Sequence, residues 1–290
     1  MPNRQGFTII EVMLFFGISS FLIVGLMVGT SATIARHRYN DSVQDLAEFF
    51  RREYSTVVNP ENSRNTTITD NVICPEELVA GTDADDGAHR GRSGCLIYGR
   101  LIVIGETDSN TIYSYDVIGK QVDNPLLSLG AALKEASISV IAHTDSSRPT
   151  LCFPVGQLTY SMQWLARAET TDPTPAPNAR ASILILRSPT NGTVNTLYYQ
   201  GVINVQNASG RSCGAGELLA NDIIDEFIAT NIDVDLCIGS DDVFALSGRR
   251  RNVRIARGGR NGSAVKIVED DNVFDPSDPT SDPEGNRCQS

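Results

Sequence analysis

Residues 6–29 read GFTIIEVMLFFGISSFLIVGLMVG, and this stretch decides the architecture of the chain. Between Phe7 and Gly29 the only charged residue is Glu11. At about 1.5 Å rise per residue the segment makes roughly 34 Å of helix, enough to cross a hydrocarbon core of about 30 Å. Arg4 precedes it and Arg36, His37 and Arg38 follow, so flanking charge alone leaves the orientation open. A secretory signal peptide would have a shorter apolar region, about 7–15 residues, with no acid near its start. A plain transmembrane anchor fits the length but leaves Glu11 without a purpose. A carboxylate in an apolar span costs on the order of 2–3 kcal/mol, and such a group usually has a functional partner.

Working outward, residues 32–57 contain neither proline nor glycine. Ile34, Val43, Leu46, Ala47, Phe50 and Tyr54 recur at spacings of three, four and seven, which predicts an amphipathic helix. Arg36, Arg38, Asp41, Asp45, Glu48, Arg51 and Arg52 occupy its other faces. Asn59-Pro60 is the stop. One helix is therefore expected from about Phe7 to Val58, apolar in its front half and amphipathic behind.

The motif Gly6-Phe7-Thr8-Ile9-Ile10-Glu11-Val12 resembles the processing site of type IV pilins and type II secretion pseudopilins. The resemblance implies cleavage between Gly6 and Phe7 by a prepilin peptidase, N-methylation of Phe7, and Glu11 as the fifth mature residue. It also implies that residues 1–6 are a leader and that residues 7–58 form the helix, of which 7–29 cross the membrane and later line a filament core. Phe7 would then carry a free amine one helical turn from Glu11. In apolar surroundings a charge pair is much cheaper than either charge alone. The amine meeting Glu11 belongs either to the same subunit or to a neighbour. Gly25 and Gly29 form a G-x-x-x-G pair that lets helices approach closely, or simply loosens the helix. The fold class expected is α+β and pilin-like, with the long helix packed on an antiparallel, β-rich domain spanning residues 59–269.

The exported part fits that expectation in outline. Strands are expected at Cys95–Ile104, Thr111–Ile118, Ser137–His143, Cys152–Leu165, Ala181–Leu186 and Thr196–Val205, with later ones at Val234–Ile238, Val243–Leu246, Asn252–Arg257 and Ala264–Val268. Short helices are expected at Pro125–Ala136 and Gly216–Thr230. Ala168–Ala179 is Thr/Pro-rich and reads as an exposed loop within one sheet system. Trp164, beside Tyr160 and Met162, reads as core.

Cys74, Cys95, Cys152, Cys213, Cys237 and Cys288 include no C-x-x-C pair, so disulfides in an oxidising compartment are expected rather than zinc. Six cysteines allow fifteen pairings; Cys74–Cys95, which would close a polar loop, is the preferred one. The turn Asp83–Gly87 is acidic but lacks the distal bidentate acid of a calcium loop. Residues 270–290 form an acidic, Pro-rich tail. Some pseudopilins carry calcium near the C-terminus, which makes Asp275, Asp278, Asp282 and Glu284 weak calcium candidates without a known ligand spacing. No other metal and no cofactor is expected.

The formal charge of −11 argues against bulk binding to nucleic acid or anionic lipid. Against that background stands the cluster Arg249, Arg250, Arg251, Arg254, Arg257 and Arg260. It reads as an edge hairpin with one charged face, neutralised by the acidic tail or resisting aggregation, with DNA or partner binding as the lesser alternative. No G-x-S-x-G, H-E-x-x-H, phosphate loop or G-x-G-x-x-G occurs, and His37, His89 and His143 sit in unrelated contexts, so no enzymatic activity is expected. The expectation is a structural subunit, minor rather than abundant, of a type IV pilus-like filament. Its partners would be homologous subunits, the prepilin peptidase, an inner-membrane assembly platform, and the cytoplasmic membrane before assembly. The alternatives are a pseudopilin of a secretion or DNA-uptake system, and a bitopic membrane protein whose ectodomain binds a ligand and never polymerises.

Overall fold

The computed structural model describes residues 8–59, 95–105, 110–143, 152–154, 157–163, 166–170, 181–199, 201, 203, 224–225, 227–228, 233–240 and 251–269. Helix α1 runs unbroken over Ile9–Val58, with Thr8 as its N-cap. Its two halves have opposite environments. Ile9 is 77% exposed, Phe21 80% and Leu26 69%, whereas Val43, Leu46, Ala47, Phe50 and Tyr54 are fully buried. The buried stripe begins at Ala35 and Tyr39 rather than at Ile34, which is 49% exposed. Ile34 lies about 180° round the helix from Val43, on the exposed face with Arg38, Asp41 and Asp45.

The body is antiparallel. A five-stranded sheet has the order β5-β2-β1-β7-β8, built from β1 (Cys95–Ile104), β2 (Thr111–Lys120), β5 (Leu158–Ser161), β7 (Ala181–Arg187) and β8 (Val194–Tyr199). A four-stranded sheet has the order β11-β10-β9-β6, from β6 (Ala166–Thr170), β9 (Val234–Ser240), β10 (Arg251–Ile255) and β11 (Val265–Glu269). Strands β3 (Ile141–His143) and β4 (Cys152–Pro154) form a separate pair. A second helix, α2, spans Leu129–Glu135 with Ser128 as N-cap.

Two cores follow from the alternation of side chains along the strands. Ile102 and Ile104 of β1 and Ile183 and Ile185 of β7 face α1, together with Val234, Leu236, Ile238, Val253 and Ile255 of the smaller sheet. Leu101, Val103, Leu184 and Leu186 face the other way, against Leu133 of α2, Ile224 and Phe227. Strands β1 and β7 are thus covered on both faces, which is why they read as continuous apolar runs. At Gly99 the backbones of β1 and β7 approach so closely that an added Cβ would lie 2.0 Å from the Ile185 carbonyl oxygen. The β1–β2 register shifts between Ile97 and Gly99, an irregularity beside this contact.

Several boundaries differ from the sequence expectation. Residues 152–165 do not form one strand: Pro154 lacks an N–H for a ladder, and the run divides into β4, which pairs with β3, and β5, which pairs with β2. Of Ser137–His143 only Ile141–His143 is a strand, with Ser139 bridging Ile118 and Ser137 at φ 47°. The Thr/Pro-rich segment starts inside β6, where Ala168 is buried, so its first residues are not loop. The strands flanking it belong to different sheets that share the core under α1. Residues 224, 225, 227 and 228 are helical, as expected within Gly216–Thr230. Val243–Leu246, Trp164, the turn at 83–87 and the tail from 270 lie outside the described residues.

Candidate functional site

The front half of α1 is long and apolar enough to cross a membrane, and among the described residues none of its most apolar window is buried. At its start Thr8 and Glu11 form a reciprocal capping box. The Thr8 N–H donates to Glu11 Oε2 at 2.9 Å, the Thr8 hydroxyl donates to the same oxygen at 3.0 Å, and the Glu11 N–H donates to Thr8 Oγ1 at 3.4 Å. The signal was present as T-x-x-E at positions 8–11, a pattern that satisfies orphan N–H groups at a helix start. Glu11 therefore has a local partner besides any amine it meets. Gly6 and Phe7 lie outside the described residues.

The polar side chains at the far end of the apolar segment satisfy themselves. Thr30, Ser31 and Thr33 donate to the carbonyls of Leu26, Met27 and Gly29 one turn back. Gly17, Gly25 and Gly29 face open space, where a Cβ would meet nothing within 4 Å. Among the described residues no contact requires glycine there.

The back half is fastened to the body by polar anchors that sequence reasoning missed. Glu53 is 1% exposed on the buried face. It accepts a hydrogen bond from Ser114 Oγ at 2.7 Å and lies 3.3 Å from Arg100 Nε. Arg100 Nη1 in turn reaches Asp116 Oδ1 at 3.0 Å, so one guanidinium on β1 joins α1 to β2. Burial raises the Asp116 pKa; the Arg100 charge opposes the rise and the Glu53 charge adds to it. Glu53 falls seven residues after Leu46 and three after Phe50, at the centre of the apolar stripe, which is the signal that would have found it.

Two tyrosines add to the attachment. Tyr39 Oη accepts from the Arg251 N–H at 2.8 Å and donates to the Ile238 carbonyl at 3.2 Å. Tyr54 Oη bonds Thr196 Oγ1, which donates to the Gly259 carbonyl at 2.9 Å. Burial pushes the Tyr54 hydroxyl up to about 12 despite that bond.

Strands β10 and β11 form a hairpin at the edge of the smaller sheet, as expected for the arginine cluster, with β11 as the edge strand. Strand β10 lies inside its sheet, between β9 and β11. Arg254 forks onto Asp235 of β9, Nε to Oδ1 at 2.7 Å and Nη2 to Oδ2 at 3.2 Å, and the Asp235 side chain is wholly buried. The Arg257 N–H donates to Asp233 at 2.8 Å. Neutralisation at Arg254 thus comes from the neighbouring strand. Arg249 and Arg250 lie outside the described residues.

Cys237 is buried in β9 opposite Glu169 and Asn252 and is disulfide-bonded. Among the described residues no cysteine is free. Cys95 opens β1 and Cys152 opens β4. Cys74, Cys213 and Cys288 lie outside the described residues, as do Asp275, Asp278, Asp282 and Glu284. Among the described residues no group of three metal-ligating side chains comes together.

Comparison with protein-family models, with curated proteins and with solved structures found no match to the chain.

Proposed function

We propose that this chain is a subunit, minor rather than abundant, of a type IV pilus-like filament. The front half of α1 holds the precursor in the cytoplasmic membrane. A prepilin peptidase removes residues 1–6 and methylates Phe7, and an assembly platform passes the subunit into a helical polymer built on its N-terminal helices. The observation that carries this reading is the division of one unbroken helix into an exposed apolar half and a buried amphipathic half. Apolar side chains exposed along some 25 residues need lipid or other helices around them. The motif at Gly6–Val12 supports the same reading, and a disulfide at Cys237 suits an exported domain.

Mass spectrometry of the mature N-terminus tests it. A methylated Phe7 is expected; an intact Met1, or cleavage beyond Ala32, overturns the proposal. Glu11→Val separates a polymer from a membrane-tethered binding protein. Polymer formation is lost and membrane insertion improves in the first case, whereas only insertion changes in the second.

A further inference from the structure

Five Asn-x-Ser/Thr triplets occur in the chain, beginning at Asn40, Asn65, Asn191, Asn207 and Asn261, and none has proline in the middle. In an exported chain this pattern is an acceptor for carbohydrate on the asparagine amide, provided that the triplet is accessible. Asn65 and Asn207 lie outside the described residues. The fold sorts the other three.

Asn40 is unsuited to the role. It sits inside α1, and the hydroxyl two residues on, that of Ser42, is fully buried and donates to the Gln163 carbonyl at 3.4 Å. A continuous helix cannot offer such a triplet to another protein without local unfolding.

Asn191 and Asn261 are built alike. Asn191, Gly192 and Thr193 are exposed in the turn that joins β7 to β8. Asn191 Oδ1 accepts from the Thr193 N–H at 3.0 Å and from the Thr193 hydroxyl at 2.7 Å. Asn261 and Ser263 are exposed in the connection from β10 to β11. There Asn261 Oδ1 accepts from the Ser263 N–H at 3.0 Å and from the Ser263 hydroxyl at 2.6 Å. In both turns residue i+2 holds the carboxamide oxygen through its N–H and its hydroxyl. The nitrogen is left over: among the described residues neither Nδ2 donates a hydrogen bond.

Both turns lie at one end of the body. Tyr54, near the close of α1, bonds Thr196 at the start of β8, and Thr196 donates to the carbonyl of Gly259, two residues before Asn261. A Cβ on Gly262 would lie 3.5 Å from Arg51 Cβ. Tyr54 stands roughly 38 Å along the helix axis from Gly29, the end of the apolar segment. Bulk added at this end meets neither a membrane around the front half of α1 nor other helices packed on it.

We propose that Asn191 and Asn261 are N-glycosylated, each with an oligosaccharide transferred from a lipid-phosphate-linked donor by a membrane transferase, and that Asn40 is not. In the transfer, Nδ2 attacks the anomeric carbon of the donor. A C–N bond forms, the bond from that carbon to the phosphate oxygen breaks, the lipid phosphate leaves, and one Nδ2 proton passes to the enzyme. Nothing is oxidised or reduced. The inference rests on the export contained in the proposed function and not on the polymer. The two glycans give the membrane-distal end of the body a hydrophilic cover.

The full-length chain is isolated from its native cells after free thiols are blocked with an alkylating reagent, and its intact glycopeptides are sequenced by mass spectrometry. Sugar is expected on Asn191 and on Asn261, with Asn40 bare. Bare asparagine at 191 or at 261, or aspartate there from spontaneous loss of ammonia at Asn-Gly, overturns the inference and leaves export standing where Cys237 is found oxidised. An alkylated Cys237 overturns export and the inference together. Sugar on Asn40 shows that the folded turn is not what selects the site and overturns the inference too. In a second arm, Thr193→Ala abolishes sugar at Asn191, whereas Thr193→Ser keeps it. Asn261 retains its sugar in both variants, which reports that each has folded and been exported. Sugar retained at Asn191 in Thr193→Ala, or lost in Thr193→Ser while Asn261 keeps its own, overturns the inference.

Discussion

Glu53 and Arg100 form an ion pair between α1 and β1 in which the carboxylate side chain is 1% exposed and the guanidinium side chain 10%. The arginine also holds Asp116, so three charges share one buried site at the helix–sheet interface. Replacing such a cluster by apolar groups is often neutral, but removing one partner leaves a buried charge uncompensated.

Arg100→Met therefore destabilises the chain by about 3–5 kcal/mol, since two carboxylates lose their shared cation. For a body of this size that corresponds to a fall in Tm of roughly 6–20 °C. Thermal unfolding of the detergent-solubilised chain checks it; a shift under about 2 °C would show that solvent reaches the cluster freely.

Asp116 behaves differently. Its pKa is raised, chiefly by burial, so between the ordinary aspartate value and the raised one the folded state binds more protons than the unfolded state. Its contribution to stability is greatest below that window and declines as pH rises through it. Asp116→Asn accordingly flattens the acid side of the stability–pH profile and costs less than about 1.5 kcal/mol at pH 7, well below the Arg100→Met effect. Denaturant titrations across the acid range give both quantities.

Tyr54 and Tyr160 are both pushed up to about 12, in each case mainly by burial. The unfolded chain ionises near pH 10, so stability is lost as pH rises from there toward 12. Tyr54→Phe and Tyr160→Phe each reduce this alkaline sensitivity, read from phenolate absorbance during unfolding. Near neutral pH Tyr54→Phe costs about 1 kcal/mol, because its bond to Thr196 is lost while Thr196 still reaches Gly259.

The glycines divide into two kinds. Gly99→Ala drives a Cβ into the Ile185 carbonyl and is expected to destabilise by several kcal/mol, seen as loss of soluble folded chain. Gly25→Ala and Gly29→Ala meet nothing among the described residues of the subunit and raise helix propensity by up to about 1 kcal/mol each. If filament helices approach at this pair, both variants fold normally yet yield less polymer. Circular dichroism and filament yield, measured together, decide it.

The long helix was legible because apolar length and a 3.6-residue period are local properties of the chain. Strand β1 was placed to the residue for a similar reason: a run covered on both faces leaves an uninterrupted apolar stretch. What failed were features that depend on pairing. Residues 152–165 carry one continuous β signal, yet Pro154 and two different partners break it into β4 and β5. The edge hairpin of β10 and β11 was legible, but not the pairing of Arg254 with Asp235, because sequence cannot say that β9 comes to lie on the inner side of β10.

The sequence by itself determined that one helix has two environments, since hydropathy and periodicity change along it without reference to anything distant. It also carried the Thr8–Glu11 cap, whose partners lie within one turn. Only the tertiary structure decided that Glu53, Arg100 and Asp116 share one buried site, and that Asp235 holds Arg254. Those residues are 16 to 63 positions apart, and each meets its partner only after strand pairing has fixed the register. Charge pairing across such distances follows chain topology, and topology is settled by the packing of both cores together rather than by any one segment.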